Sequence, residues 1–344
     1  MNIKPGTIGG ILFFVVAATF PLWLLQGPYL QGIGVTALIV ASLAVAWNIV
    51  GGLGGRLSFG HAAFFGVGGY TSSLLLINFN VSPWIGGLVG MLVAGTLALL
   101  LGSITVHLRG IYFTLVTFVF ALILLSLART VSSLTGGDVG LSLPLMQPSF
   151  GMLQFHGQIS YYYIALGLLL IYVTIAAFII KSPFGYRLKS IRDDEQVARA
   201  LGVHTNQVKI QAFVLSGMMV SFAGTLMAQQ GLFIDPGSAF GVDRSVEMAL
   251  GAIFGGIGTL WGPVVGGIAV VTIGEVANNS LRDVFAGADT LVYGVVLVAV
   301  ALWLPGGIAS IPQLLKKKTE KRRESPPPSD EKKSLNEPEV VITR

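Results

Sequence analysis

Long apolar runs, separated by short polar or glycine- and proline-containing breaks, occupy most of the chain between residues 8 and 304. A helix that crosses a bilayer needs about 20 mostly apolar residues. Runs of that length or close to it lie at 8–25, 33–50, 62–77, 84–106, 111–128 and 161–180. A charged segment over 181–209 interrupts the series, and further runs follow at 210–233, 246–257, 264–280 and 290–304. The pattern predicts an all-α, polytopic transmembrane helix bundle of about ten spans, six before the charged segment and four after it. The run at 246–257 is the shortest. Glycines crowd it and Pro263 follows, which marks it as a broken or re-entrant helix.

Composition narrows the class. Of 344 residues 53% are apolar and 11% charged, against roughly 25% charged in a soluble domain. Water would have to face the surplus apolar surface, so lipid is its solvent. With no cysteine, disulfides, thiolate metal sites and cysteine nucleophiles are excluded. His61, His107, His156 and His204 have no metal-ligand spacing, and no phosphate-binding Gly-Lys-Ser/Thr loop occurs.

Charge then orients the bundle. Residues 316–344 hold nine of the 21 Lys and Arg, and 181–209 hold six more. Loops on the cytoplasmic side carry excess Lys and Arg, so these clusters mark cytoplasmic flanks and not a nucleic-acid surface. With the amino terminus inside, Lys4, Arg56, His107, Arg109 and 181–209 all fall inside. The outer connections 26–32, 78–83 and 131–160 carry no Lys or Arg. Both termini are then cytoplasmic. Arg129, Arg244 and Arg282 fit this arrangement less well. The first apolar run could also be a cleaved signal peptide, but it has a single Lys and continues directly into a second span. Residues 1–315 form the transmembrane domain in this reading. Residues 316–344, with the Ser325–Ser329 proline run and mixed charge, form a disordered cytoplasmic tail.

Glycines number 45. Pairs four apart, such as Gly86/Gly90 and Gly262/Gly266, let helix backbones approach closely. The density over 251–263 exceeds what helix packing requires and predicts irregular backbone at depth, its polar groups satisfied by protein or a water-filled cavity.

Within 181–209, Pro183 and Gly185 stop the preceding span. Asp193 or Asp194 can N-cap a short helix, with Gln196 near the capping-box position for Asp193. Gly202 can close that helix in the left-handed conformation. Val197, Ala198 and Leu201 share a face. Such a helix is too short to stand alone, so its apolar face needs either a partner or the chain's own bundle.

This segment resembles the coupling loop of ABC importer permeases, which carries Glu-Ala-Ala, three residues, then Gly, and docks on an ATPase subunit. Ala198 and Gly202 keep the latter part, Gln196 and Val197 depart from the first two positions, and Glu195 stands one place early. Wider stretches carry more. Gly55-Arg-Leu-Ser-Phe-Gly-His-Ala-Ala-Phe-Phe-Gly-Val-Gly-Gly-Tyr70, residues 109–117, 135–141 and 184–202, and Gly255-Gly-Ile-Gly-Thr-Leu-Trp-Gly-Pro263 followed by Glu275 resemble the branched-chain amino-acid ABC transporter permeases of the LivM type. The likeness runs in order from about residue 30 to residue 307.

The resemblance implies a fold similar to the vitamin B12 importer-type permeases in the bacterial cytoplasmic (inner) membrane. It implies a homologous second permease, two cytoplasmic ATP-binding subunits that hold the ATP and Mg, and a periplasmic solute-binding protein. This chain then needs no cofactor and catalyses nothing. The expected coupling residues are Arg192, Asp193, Asp194, Glu195, Val197, Ala198, Leu201 and Gly202. Polar residues at or inside spans give the candidate solute path: Ser58, His61, Tyr70, Tyr112, Thr114, Thr117 and Glu275. Each of these has a packing role as its alternative. Glu275, in an apolar run, is a functional candidate by default or a structural carboxylate paired with Arg282. Rival readings are an ABC permease for urea, amides or aromatic acids, and an ion-coupled secondary transporter. An intramembrane enzyme built on Ser58 and His61 has the least support.

Overall fold

The computed structural model describes residues 5–23, 27–281 and 294–295. The run at 290–304, apart from residues 294–295, Arg282 and the tail over 316–344 lie outside the described residues. Thirteen α-helices are described: α1 (Pro5–Trp23), α2 (Pro28–Asn48), α3 (His61–Phe79), α4 (Pro83–Thr105), α5 (Ile111–Thr130), α6 (Ser132–Thr135), α7 (Gln158–Lys181), α8 (Pro183–Asp193), α9 (Glu195–Ala200), α10 (Thr205–Gly231), α11 (Pro236–Phe240), α12 (Val242–Gly256) and α13 (Gly262–Leu281). Six are long and apolar enough to cross a membrane: α2 with its continuation to Leu53, α3, α4, α5, α7 and α10. The protein is therefore a polytopic helical membrane protein. Helices α1, α12 and α13 fall on three further runs of the sequence, but α12, at 15 residues, is short of a full crossing.

The centre of the bundle is α2, 83% of whose most apolar window is buried, against 22% for α5. α5 turns most of its apolar surface outward, which only a lipid or a protein partner can cover. Close approach of backbones sets the packing between α3 and α10. A Cβ at Gly68 would lie 1.9 Å from the carbonyl oxygen of Ser221, and one at Gly224 2.2 Å from that of Phe65.

After Asn48, α2 runs on as a π-helical turn, Ile49–Leu53, where the Gly54 amide bonds the Ile49 carbonyl at 3.2 Å. Gly52 lies in the last turn of this helix, where carbonyls have no intrahelical partner and another element can use them.

The glycine-dense run over 251–263 differs from the expectation. Residues 251–256 are regular helix, and only 257–261 are non-helical. Packing accounts for most of the glycines, because α12 and α13 lie almost in backbone contact. A Cβ at Gly255 would sit 1.7 Å from the Gly262 carbonyl oxygen, and one at Gly266 1.9 Å from that of Gly251. The irregular turn is satisfied by protein. Asn48 receives the Gly258 amide on its Oδ1 (2.8 Å) and donates Nδ2 to the Thr259 carbonyl (2.9 Å).

At the end of the bundle opposite the basic segment, the connection after α5 folds back on α10. A two-residue strand β1 (Leu141–Ser142) pairs antiparallel with β2 (Phe233–Ile234). Arg129, an exception to the charge pattern, pairs with Asp138 at 2.9 Å in this cap.

Candidate functional site

The basic segment forms two helices and a reverse turn. The Asp194 carboxylate caps α9, accepting the amides of Gln196 (2.7 Å) and Val197 (3.1 Å). Gly202 leaves the helix at φ +85°, and the Val203 amide reaches back to the Ala198 carbonyl at 3.1 Å, closing the turn in the left-handed manner that favours glycine. Of the three apolar residues expected on one face, Ala198 is buried against its own chain, while Val197 and Leu201 are 54% and 78% exposed. The helix is thus seated by Ala198 and leaves two aliphatic side chains uncovered.

Ionic contacts fix this unit to the bundle. Glu195 accepts a hydrogen bond from Lys209 of α10 at 2.5 Å and another from Arg199 at 2.9 Å. The Lys209 side chain is 3% exposed and also donates to the Val106 carbonyl at the end of α4. Burial alone would raise the Glu195 carboxyl, yet the Lys209 ammonium, with Arg109 and Arg199 behind it, holds it below the ordinary glutamate value. Arg56 lies over the Phe113 ring at 3.8 Å and donates to the carbonyls of Thr105 and Leu108. Its burial lowers the guanidinium to about 10, offset in part by Glu195, so it stays charged at neutral pH. Arg192 spans from α8 to the π turn, donating to the Gly52 carbonyl at 3.2 Å. It also bonds Asp193, whose carboxylate is largely exposed. Lys209, which the sequence reading did not single out, holds the segment to α10, while Arg56 ties the connection before α3 to the turn between α4 and α5.

The candidate path residues are not one site. Ser58, His61 and Thr117 cluster, all fully buried. His61 Nδ1 lies 3.1 Å from Ser58 Oγ, and Nε2 lies 2.9 Å from Ser216 Oγ. The Ser216 hydroxyl donates to the Ala46 carbonyl at 2.7 Å. That bond uses its only proton, so Nε2 donates to Ser216 and Nδ1 accepts from Ser58. The ring stands edge-on to Phe64 and Phe213. Thr117 accepts the Phe59 amide at 3.3 Å and donates to the Thr114 carbonyl. Trp47 Nε1 donates to the Ser58 carbonyl at 2.8 Å. Every group is used within the protein. This arrangement ties α2, α3, α5 and α10 together and leaves no polar atom for a solute.

Tyr112 and Thr114 stand apart at the start of α5, Tyr112 exposed and Thr114 half-buried, with Thr114 bonded to the Leu57 carbonyl at 2.9 Å. Tyr70 stacks on Phe240 at 5.6 Å. Glu275 lies near the far end of α13, where it accepts a hydrogen bond from the Tyr29 phenol at 2.7 Å.

One charged pair was absent from the candidates. Arg244 and Glu247, one turn apart on α12, are joined at 2.7 Å, their side chains 19% and 18% exposed. Arg244 had signalled itself only by its misfit to the charge pattern. Among the described residues no group of His, Asp and Glu could hold a metal ion.

A family profile described as "Branched-chain amino acid transport system / permease component" matches residues 29–301. The chain is 27% identical over 331 residues to the high-affinity branched-chain amino acid transport system permease protein LivM of Escherichia coli, covering 89% of this chain and 76% of that protein. It is 28% identical over 141 residues to the permease protein BraD of Pseudomonas aeruginosa (40% of this chain, 44% of that protein). To the permease protein LivH of Salmonella typhimurium it is 23% identical over 296 residues, covering 80% of this chain and 92% of that protein.

Proposed function

Since the chain belongs to the family of branched-chain amino acid transport system permease components, we propose that it is the membrane-spanning subunit of an ABC importer for leucine, isoleucine and valine. The basic end of the bundle faces the cytoplasm, as the positive-inside rule requires, in a bacterial inner membrane. Ten spans and a vitamin B12 importer-like arrangement complete the reading.

The observation that carries the proposal is the Asp194-capped helix α9. Anchored to α10 through Glu195 and Lys209, it leaves Val197 and Leu201 uncovered at the basic end. Two exposed aliphatic side chains on a firmly held short helix suit a cleft in a partner protein. ATP and Mg bind to two such cytoplasmic partners. When the pair closes, it pushes on α9, and the contacts of Glu195 with Lys209 and of Arg192 with Gly52 transmit the load to α10 and α2. A second permease completes the solute path, and a periplasmic binding protein delivers the solute. The chain itself need only contact the solute differently in two states. No catalytic group is required.

The experiment is uptake of labelled leucine, and separately of urea, in cells with and without this chain, beside co-purification of the ATPase with Val197→Asp. Loss of low-concentration leucine uptake on deletion, and loss of ATPase from Val197→Asp at normal permease yield, support the proposal. Leucine uptake unchanged by deletion in cells with no second leucine importer moves the solute to a sister class, such as urea, amides or aromatic acids. ATPase retained by Val197→Asp refutes the coupling role.

A further inference from the structure

The depth of the Arg244–Glu247 pair makes it unusual. The guanidinium lies 5.1 Å over the ring of Phe65. The neighbouring Phe64 packs on Gly217, and the Phe65 carbonyl faces Gly224, both well inside α10, which runs from Thr205 to Gly231. Between the two charges, Ser245 accepts the Ala62 amide at 2.8 Å and donates to the Phe59 carbonyl at 2.7 Å. That double bond pins the start of α12 beside the inner part of α3. Ionisable side chains at this depth are expensive in lipid and face protein or water.

Neither charge is sealed. Both side chains keep nearly a fifth of their surface and Asp243 beside them is exposed, while Arg244 Nε, itself buried, has no hydrogen-bond partner. Asp243, Glu247, Leu250 and Ile253 recur at helical spacing along the side of α12 that is not buried, while Ser245, Met248, Ala249 and Ala252 form its buried side. The open stripe is therefore charged at its start and aliphatic farther on. A lipid-facing stripe would not begin with two carboxylates and a guanidinium, Arg244, at its edge.

We propose that this stripe lines the translocation path, and that Arg244 and Glu247 bind the passing amino acid: Arg244 its carboxylate, Glu247 its ammonium, with Leu250 and Ile253 beside the aliphatic side chain. The inference rests on the transport reading above and names the contact residues for it. A paired cation and anion match a zwitterion. When no solute is present they satisfy each other, and the solute exchanges one charge-assisted bond for two others. Binding of this kind is favourable enough to admit the solute and weak enough to release it, as a path requires.

The chain has no cysteine, so a single Asp243→Cys substitution gives this subunit its one thiol, and labelling is read on this subunit alone. The test uses the complete transporter in proteoliposomes, with the second permease, ATPase subunits and binding protein. A charged methanethiosulfonate reagent is expected to label Asp243→Cys, and leucine to slow the labelling during turnover. The double variant Arg244→Gln/Glu247→Gln keeps shape and avoids a lone buried charge. It is expected to assemble and to retain binding-protein-stimulated ATP hydrolysis while leucine uptake falls about tenfold or more, the scale of a lost charge-assisted hydrogen bond. Full uptake by the double variant, no labelling of Asp243→Cys, or labelling indifferent to leucine overturns the proposal. A complex with unsubstituted Asp243, Arg244 and Glu247 that fails to transport leucine at all is the separate failure of the underlying reading.

Discussion

Replacing Lys209 by Met tests whether the coupling segment is held to the bundle by charge. In the native structure the Lys209 ammonium, 3% exposed, bonds Glu195 at 2.5 Å. Methionine keeps the aliphatic stem but leaves the Glu195 carboxylate, 18% exposed, with Arg199 as its remaining ionic partner. Breaking a fully buried pair costs about 3–5 kcal/mol. Because Glu195 is partly solvated and Arg199 stays, a value nearer that of one charged hydrogen bond applies, about 2–3 kcal/mol. That energy no longer opposes detachment of α9 from α10, so the detached population rises roughly 30- to 150-fold. Hydrogen exchange reads it directly. The amides of Ala198, Leu201 and Val203 are bonded at 3.0–3.1 Å within this unit and exchange faster by that factor in Lys209→Met. The double variant Glu195→Gln/Lys209→Met, which leaves no uncompensated charge, recovers most of the protection. Unchanged exchange of the three amides in the single variant would refute the argument. So would a double variant as labile as the single one.

Four further outcomes follow from the same geometry. Because the Glu195 carboxyl titrates below its ordinary value of 4.5, its contribution to holding α9 is fully present above that value. It is lost only as pH falls through the lowered one, so protection of the same amides is flat through neutral pH and declines only on strong acidification. Gly255→Ala places a methyl 1.7 Å from the Gly262 carbonyl and forces α12 from α13. A loss of about 1–3 kcal/mol is expected in the thermal unfolding of the detergent-solubilised protein. Gly167→Ala on α7, with nothing within 4 Å, is neutral or stabilising by up to about 1 kcal/mol. Glu275→Gln retains an acceptor for the Tyr29 phenol, so leucine uptake near the native rate is expected, and a severe loss would assign the carboxylate a direct part in transport.

The sequence by itself determined that the chain lives in lipid, because apolar runs near 20 residues cannot be hidden any other way. It placed the helix interruptions as well, because Pro183, Asp194 and Gly202 act on their own backbone within a few residues. The left-handed exit of α9 was therefore readable from Gly202 alone, and its cap was narrowed to Asp193 or Asp194, of which the structure uses Asp194. The family likeness was carried by contiguous motifs. Contacts between distant elements were not readable. Whether the glycines of 251–263 bend the backbone or let two helices touch depends on where α13 lies relative to α12, and packing decided for contact. Ser58 and His61, three residues apart, gave no sign that Ser216 on α10 completes their hydrogen bonding and closes the cluster to a solute. Arg244 read as a misfit in a charge pattern because its meaning is its depth. A helix that starts beside the inner part of α3 puts an ion pair where lipid forbids one, and only the tertiary structure sets where a helix starts in depth.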